Sequence, residues 1–277
     1  MSVGEAVAWA EEKLKEAGVD TPRLDAQMLV AHCLDAERSY VIAHVNDPFE
    51  HFFSLEPLIG RRVEREPLAY ILGWREFYGR RFLVNSDVLI PRQETEVLVE
   101  VALSIRHVED VLDLGTGSGC IAITLALEMP EWTVAAVDMS EYALEVAREN
   151  ARRLLGDSRK VHFVNSDYFE ELHGEQFDLI VSNPPYVAEL ESLQPEVGKH
   201  EPPLALLAAE GGLGEYRRIA EEAPPFLRLG GTLIVEVGDR TADQVAELFE
   251  EYGWHVEKTI DDLNGTPRVL VLKLIEA

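Results

Sequence analysis

Over the first 72 residues the apolar positions recur at the spacing of amphipathic helices. Val7, Ala8, Ala10, Leu14 and Ala17 form one stripe, and Gly18 is a natural stop. Thr21 and Pro22 open a second helix, with Thr21 expected as its N-cap and Pro22 in its first turn. Its stripe contains Leu24, Met28, Leu29 and Cys33. A third short segment surrounds Tyr40–His44, and a fourth runs from near Pro48 to Glu64. Short helices in such close succession predict a small antiparallel bundle over residues 1–72.

At Gly73 the period changes. Residues 77–84 read as strand, turn and strand, so a β-hairpin over 73–90 is expected to link the bundle to the rest of the chain. A helix over 94–106 follows Pro91. Buried strands are then expected at 111–114, 133–138, 161–165, 177–182 and 232–237. Helices are expected at 119–129 and 140–155, and a terminal antiparallel pair at 256–261 and 268–274. Strands alternating with helices predict an α/β sheet with helices on both faces over residues 91–277.

Charge changes this picture little. The net charge is −26, with 25 Lys and Arg against 51 Asp and Glu. Residues 1–83 hold ten basic and fourteen acidic side chains, so most of the excess falls on the α/β part. A broad face for nucleic-acid backbone is usually basic, which argues against such a partner. No apolar run is long enough for a membrane span, and residues 1–18 lack the order of a signal peptide. Only two cysteines occur, Cys33 and Cys120, without metal-ligand spacing, so neither a disulfide framework nor a metal site is expected. A cytoplasmic protein is the expectation. Arg61, Arg62, Arg65, Arg75, Arg80 and Arg81 cluster ahead of the α/β part; a solvated face paired with Glu64 and Glu66 is favoured over a partner surface.

Two segments carry chemistry. The first is Gly115-Thr116-Gly117-Ser118-Gly119, between an expected strand and helix. Glycines there permit positive φ and close backbone approach to a ligand, and the helix start offers free N–H groups. A dinucleotide fingerprint wants a further glycine where Cys120 stands, so the loop fits better the first motif of methyltransferases that use S-adenosylmethionine. A tight turn without a ligand is the plain alternative. Asp138 ends the next strand, about 20 residues on, where a carboxylate can accept from ribose hydroxyls. Asp167 and Tyr168 follow the third strand; the acid suits an adenine amino group and the ring suits packing on the base. Each acid has a rival role as a helix cap or loop residue. Asp113 suits the methionine amine less well, since it lies within a strand.

The second segment is Asn183-Pro184-Pro185-Tyr186, after the apolar run 177–182. An amide or exocyclic nitrogen is a poor nucleophile because its lone pair is delocalised. Acceptors that take both N–H bonds move electron density onto nitrogen. The Asn183 side-chain oxygen and the Pro184 carbonyl are the expected acceptors, and Pro185 stiffens the turn. Tyr186 offers a face for a planar group. Asn183 thus borders both cofactor and substrate, with Asn183, Pro184 and Tyr186 expected to be catalytic.

With these residues in place, the chain resembles the HemK-type N5-glutamine methyltransferases of peptide chain release factors. The resemblance runs through the helical bundle, Leu89-Ile90-Pro91-Arg92-Gln93-Glu94-Thr95-Glu96, Asp113–Gly119, Asp138, Asp167-Tyr168 and Asn183–Tyr186. It implies a Rossmann-like class I methyltransferase sheet joined to a helical substrate-recognition domain. It also implies S-adenosylmethionine as donor, S-adenosylhomocysteine as product, and the glutamine of a Gly-Gly-Gln motif in a release factor as acceptor. Gly115 to Gly119, Asp138 and Tyr168 would contact the donor, and Asn183 to Tyr186 the glutamine. Gln93 stands where members usually have Pro, and Tyr168 where many have Trp. Asn-Pro-Pro-Tyr is shared with adenine-N6 methyltransferases acting on DNA or RNA, the nearest rival. A cofactor-binding scaffold without catalysis is a second.

Overall fold

Seven strands, the central ones nearly continuous apolar runs, assemble into one sheet in the order β5-β4-β3-β6-β7-β9-β8. These are β3 (Asp110–Leu114), β4 (Thr133–Asp138), β5 (Val161–Asn165), β6 (Phe177–Ser182), β7 (Leu227–Glu236), β8 (Trp254–Asp261) and β9 (Pro267–Leu274); β1 (Trp74–Phe77) and β2 (Arg80–Leu83) form a separate hairpin. The computed structural model describes residues 1–156, 161–189 and 193–275. From β5 to β7 the strands run parallel, and β9 is antiparallel to both β7 and β8. The expected α/β sheet, including its antiparallel terminal pair, is therefore what forms.

Alternation along the strands sorts side chains into two cores, one on each face of the sheet. Leu179 and Val181 join Val111, Val134 and Ile234 on one face. Ile180 joins Leu112, Leu233, Tyr216 and Trp254 on the other. The helices that cover the sheet are α6 (Thr95–Ser104), α7 (Cys120–Glu128), α8 (Glu141–Leu155), α11 (Gly214–Glu222) and α12 (Ala242–Glu251), with the short α10 (Ala209–Gly212) ahead of α11. The Ser140 hydroxyl accepts from the Ala143 N–H, so it caps α8. The hairpin turns at Tyr78 and Gly79, both at positive φ, the geometry that suits the strand twist.

The chain forms two compact units: residues 1–74 with 194–200, and residues 75–193 with 201–277. The first holds α1 (Val3–Glu16), α2 (Pro22–Cys33), α3 (Arg38–Ala43), α4 (Phe52–Val63), α5 (Leu68–Leu72) and α9 (Pro195–His200). Its core is Leu14, Leu29, Val30, Leu55 and Ile59 with their neighbours. Ser2 and Glu5 form a reciprocal capping box at the start of α1. Thr21 departs from its expected role. Its side chain caps nothing; the hydroxyl donates to Asp25 Oδ1 at 2.7 Å.

These units differ from the expected boundaries in two respects. Residues 75–90 belong with the sheet rather than to a separate linker, since Tyr78 N–H donates to Glu96 and Leu83 N–H to Asn150. Residues 194–200 group with the helices, because Arg62 and Arg65 both pair with Glu196.

The arginine cluster is a solvated face only in part: Arg61, Arg75 and Arg81 are exposed. Arg62 is buried, with Nε 2.8 Å from Asp25 Oδ2 and Nη2 3.2 Å from Glu196 Oε1. Arg61 pairs with Glu66, and Arg80 with Glu128. Glu66 is the nearby partner that spacing suggests, whereas Asp25, Glu196 and Glu128 lie on elements far along the chain, which spacing cannot show. Among the described residues, no helix is long and apolar enough to cross a membrane.

Candidate active site

Strand order reverses between β3 and β6, which run side by side and in parallel. Ligand crevices of open α/β sheets lie beyond the C-terminal strand ends at such a reversal. The register pairs Leu114 with Ser182, and the Ser182 hydroxyl donates to the Leu114 carbonyl at 2.9 Å. The next residues are Gly115 and Asn183. The two chemical segments, far apart in sequence, thus emerge level on neighbouring strands. Both border one cavity of about 300 Å³, together with Gly117, Asp138, Asp167, Tyr168 and Pro185. Leu89, Leu204 and Leu207 give it apolar walls.

The glycine loop divides into two functions. Gly115 and Gly117 have φ of 73° and 55°, and a Cβ on either would meet open space. Their backbones therefore form a bare cradle, bent by the Val137 carbonyl, which accepts from both the Gly115 and Thr116 N–H groups at 2.9 Å. Thr116, Ser118 and Gly119 are instead packed away from the cavity wall. Thr116 and Ser118 are buried, and the Thr116 hydroxyl donates to Asp113 Oδ2 at 2.6 Å. A Cβ on Gly119 would fall 2.8 Å from Ile123 Cδ1 and 3.2 Å from Ala147 Cβ, so this glycine lets α7 approach α8.

Asp113 is fully buried, and its Oδ1 has no partner among the described residues. Burial pushes its carboxyl up to about 7, against the bonds from Thr116 and Ala122. Asp138 is tied to the cradle. Its Oδ2 accepts from Gly117 N–H at 2.8 Å, and its Oδ1 from Ser140 N–H at 2.9 Å. Burial raises its pKa, partly offset by those bonds. Each oxygen keeps acceptor capacity beyond its backbone bond.

Arg218 was not singled out by the sequence, yet it organises the other end of the cavity. Its Nη1 donates to Asp167 Oδ1 at 2.9 Å, and its guanidinium lies 4.8 Å from the Tyr168 ring centroid. Tyr168 has φ of 48°, an uncommon backbone for a bulky residue, which re-aims its ring at the cavity edge. Burial, with Glu215 adding to it, holds the Tyr168 hydroxyl far above its usual pKa.

At the second segment, Asn183 Nδ2 donates to Thr95 Oγ1 at 3.2 Å. Pro185 borders the cavity, whereas Pro184 and Tyr186 are not among its lining residues. The Tyr186 ring packs against the core, so close to Gly238 that a Cβ there would lie 2.8 Å from Tyr186 Cδ2. Burial drives its hydroxyl up to about 12. The junction segment ahead of α6 is fixed by Glu201, itself buried. Glu201 Oε2 accepts from Ile90 N–H at 3.0 Å, and Oε1 from Arg92 Nη2 at 2.6 Å. Gln93 is exposed, so the residue type there is not constrained by packing.

Known proteins resemble this chain over nearly its whole length. Residues 5–73 match the PrmC N-terminal domain, and residues 93–199 the methyltransferase small domain. The release factor glutamine methyltransferase of Geobacter sulfurreducens is 41% identical over 97% of this chain and 95% of its own length. The bifunctional methyltransferase of Rickettsia bellii is 37% identical over 95% of this chain, but the chain spans only 53% of that protein. A methyltransferase from Pyrococcus furiosus shares the fold, with a TM-score of 0.53 and 19% identity over 80% of this chain and 98% of the other.

Proposed function

The chain belongs to the release factor glutamine methyltransferase family, and from that premise we propose that it methylates the side-chain amide nitrogen of the Gly-Gly-Gln glutamine in a peptide chain release factor. The donor is S-adenosylmethionine. The acceptor is the release factor protein, in the cytoplasm, with no nucleic acid or membrane required. The observation that carries this reading is the level placement of Gly115 and Asn183 on one cavity, fixed by the β3–β6 register.

The residues present fit the donor. Gly115 and Gly117 offer side-chain-free backbone, Asp138 an acceptor for the ribose, and Tyr168 with Asp167 an aromatic and an acid for the base. When bound, S-adenosylmethionine supplies a methyl group made electrophilic by its sulfonium sulfur. Asn183 Oδ1 borders the cavity and takes one N–H of the glutamine amide; the Pro184 carbonyl, next in the chain but outside the cavity lining, is assigned the other, and the two raise electron density on the nitrogen. Pro185 restricts Pro184 to an extended backbone, which fixes the direction of that carbonyl. The apolar walls limit water at the reacting nitrogen. The helical unit at residues 1–74 is the surface assigned to recognition of the release factor.

Mass spectrometry of a purified release factor, incubated with the enzyme and donor, tests the function. One added methyl on the Gly-Gly-Gln glutamine is the expected product. An unmodified release factor, with label entering DNA or RNA adenine instead, would sink the assignment. Asp138→Ala is expected to weaken donor binding by about tenfold, the worth of one or two hydrogen bonds, in isothermal titration calorimetry. An unchanged dissociation constant would remove Asp138 from the ribose site.

A further inference from the structure

Behind the Asn-Pro-Pro-Tyr turn lies a buried polar chain that the reaction as described leaves unused. It begins at Asn183 Nδ2, which donates to Thr95 Oγ1. Thr95 opens α6 and is 2% exposed. Its side chain also lowers the energy of the ionised Glu236 carboxylate. Glu236 ends β7 and is 1% exposed. Its placement follows from register: Ser182 of β6 pairs with Val235 of β7, so Asn183 and Glu236 emerge level, as Gly115 does on the other side. Glu236 Oε2 is buried without a partner among the described residues. An unpaired buried carboxylate oxygen is costly to keep. Its position beside the reacting turn gives it a use.

A side-chain amide has an accepting pole and a donating pole, and function at Asn183 requires the oxygen to face the substrate. Thr95 has one hydroxyl proton. When that proton goes to Glu236, Thr95 can only accept from Asn183, and only the NH2 pole can face it. The oxygen is then the pole left for the substrate. Resting on the glutamine-methylation reading above, we propose that Thr95 and Glu236 are positioning residues that set the polarity of the Asn183 amide, so that its oxygen rather than its nitrogen meets the glutamine.

The chain has a built-in reversal. A protonated Glu236 can donate to Thr95, which frees the Thr95 proton for Asn183 Oδ1 and turns the amide the wrong way. Burial raises the Glu236 carboxyl to about 7, against Thr95, Arg268 and Arg92, while Glu94 adds to the rise. Tyr186 and Cys120 also feel its charge, and the Tyr216 hydroxyl donates to its backbone carbonyl. Methyl transfer is therefore expected to rise with pH through neutrality. Stability runs the other way. An acid whose folded pKa is raised contributes stability below its unfolded pKa, and that contribution is lost as pH climbs through about 7.

The test compares kcat, KM for the release factor and donor affinity in wild type, Thr95→Val, Thr95→Ser and Glu236→Gln. Thr95→Val is expected to lower kcat about tenfold, with donor affinity unchanged, and Thr95→Ser to restore most of the rate. Glu236→Gln can donate to Thr95 at every pH. It should be slow throughout, lose the rise near neutrality, and melt no earlier than wild type at pH 8. Wild-type kcat in Thr95→Val, or a wild-type pH profile in Glu236→Gln, overturns the proposal. If Thr95→Val does not fold, Thr95→Ser and the Glu236→Gln profile still decide. A wild-type enzyme that leaves the release factor unmethylated takes down both readings, whereas an active wild type with unaffected variants takes down only this one.

Discussion

Asn183→Ala will lose about 100- to 1,000-fold in kcat for release-factor methylation, the cost of removing one preorganised partner of the reacting group. Its affinity for S-adenosylmethionine should change little. The asymmetry follows from where the side chain sits. Asn183 borders the cavity beside Pro185, while the donor cradle is built from Gly115, whose N–H donates to the Val137 carbonyl, and Gly117, whose N–H donates to the Asp138 carboxylate. Removing the amide leaves that cradle intact. It also leaves Thr95 buried without its donor from Asn183. Single-turnover methyl transfer at saturating donor, with calorimetric donor binding in parallel, separates the two effects. Full activity in the variant would end the assigned role.

Arg62→Ala will destabilise the chain by about 3–5 kcal/mol, the usual cost of leaving a buried charge without its partner. Arg62 is 6% exposed and serves two carboxylates at once, Asp25 on α2 and Glu196 on α9. Its Nη1 also donates to the Glu66 carbonyl at 3.1 Å. Arg65 remains as a partner for Glu196, but Asp25 keeps only the Thr21 hydroxyl as a side-chain donor among the described bonds. Arg62→Lys should recover only part of the loss, because an ammonium cannot span both acids as the guanidinium fork does. Urea unfolding of the full chain measures both. A midpoint for Arg62→Ala equal to wild type would show that the buried network contributes no net stability.

Much of the fold was legible because the strands are short apolar runs bounded by turn residues. The expected strands at 133–138, 161–165 and 177–182 coincide with β4, β5 and β6. The 232–237 expectation captured only the second half of β7, which begins at Leu227. Gly230 and Gly231 interrupt its pattern, yet the strand continues through them. Helices α11 and α12 carried no reading of their own, although each buries one face: Tyr216 and Ile219 on α11, Val245 and Phe249 on α12. A charged face opposite an apolar one is itself an amphipathic period, so both helices are legible from spacing alone.

The cofactor loop and the Asn-Pro-Pro-Tyr turn were visible as types, because glycine and proline constrain the backbone wherever they stand. Their division of labour was not. Gly119 is needed for helix packing and Gly117 for the cradle, a difference that depends on Ile123 and Ala147. Arg218 and Glu236 gave no local signal at all, since an arginine in a helix and a glutamate at a strand end are commonplace.

By itself, then, the sequence determined most of the elements, the α/β class and the two segments able to do chemistry, because period, turn residues and side-chain reactivity are local properties. The tertiary structure decided that Gly115, Asn183 and Glu236 emerge level from three neighbouring strands. It also decided that Arg62 is an internal bridge rather than a surface charge. The physical reason is that register and burial are set by partners far along the chain, and no spacing between neighbours in sequence encodes them.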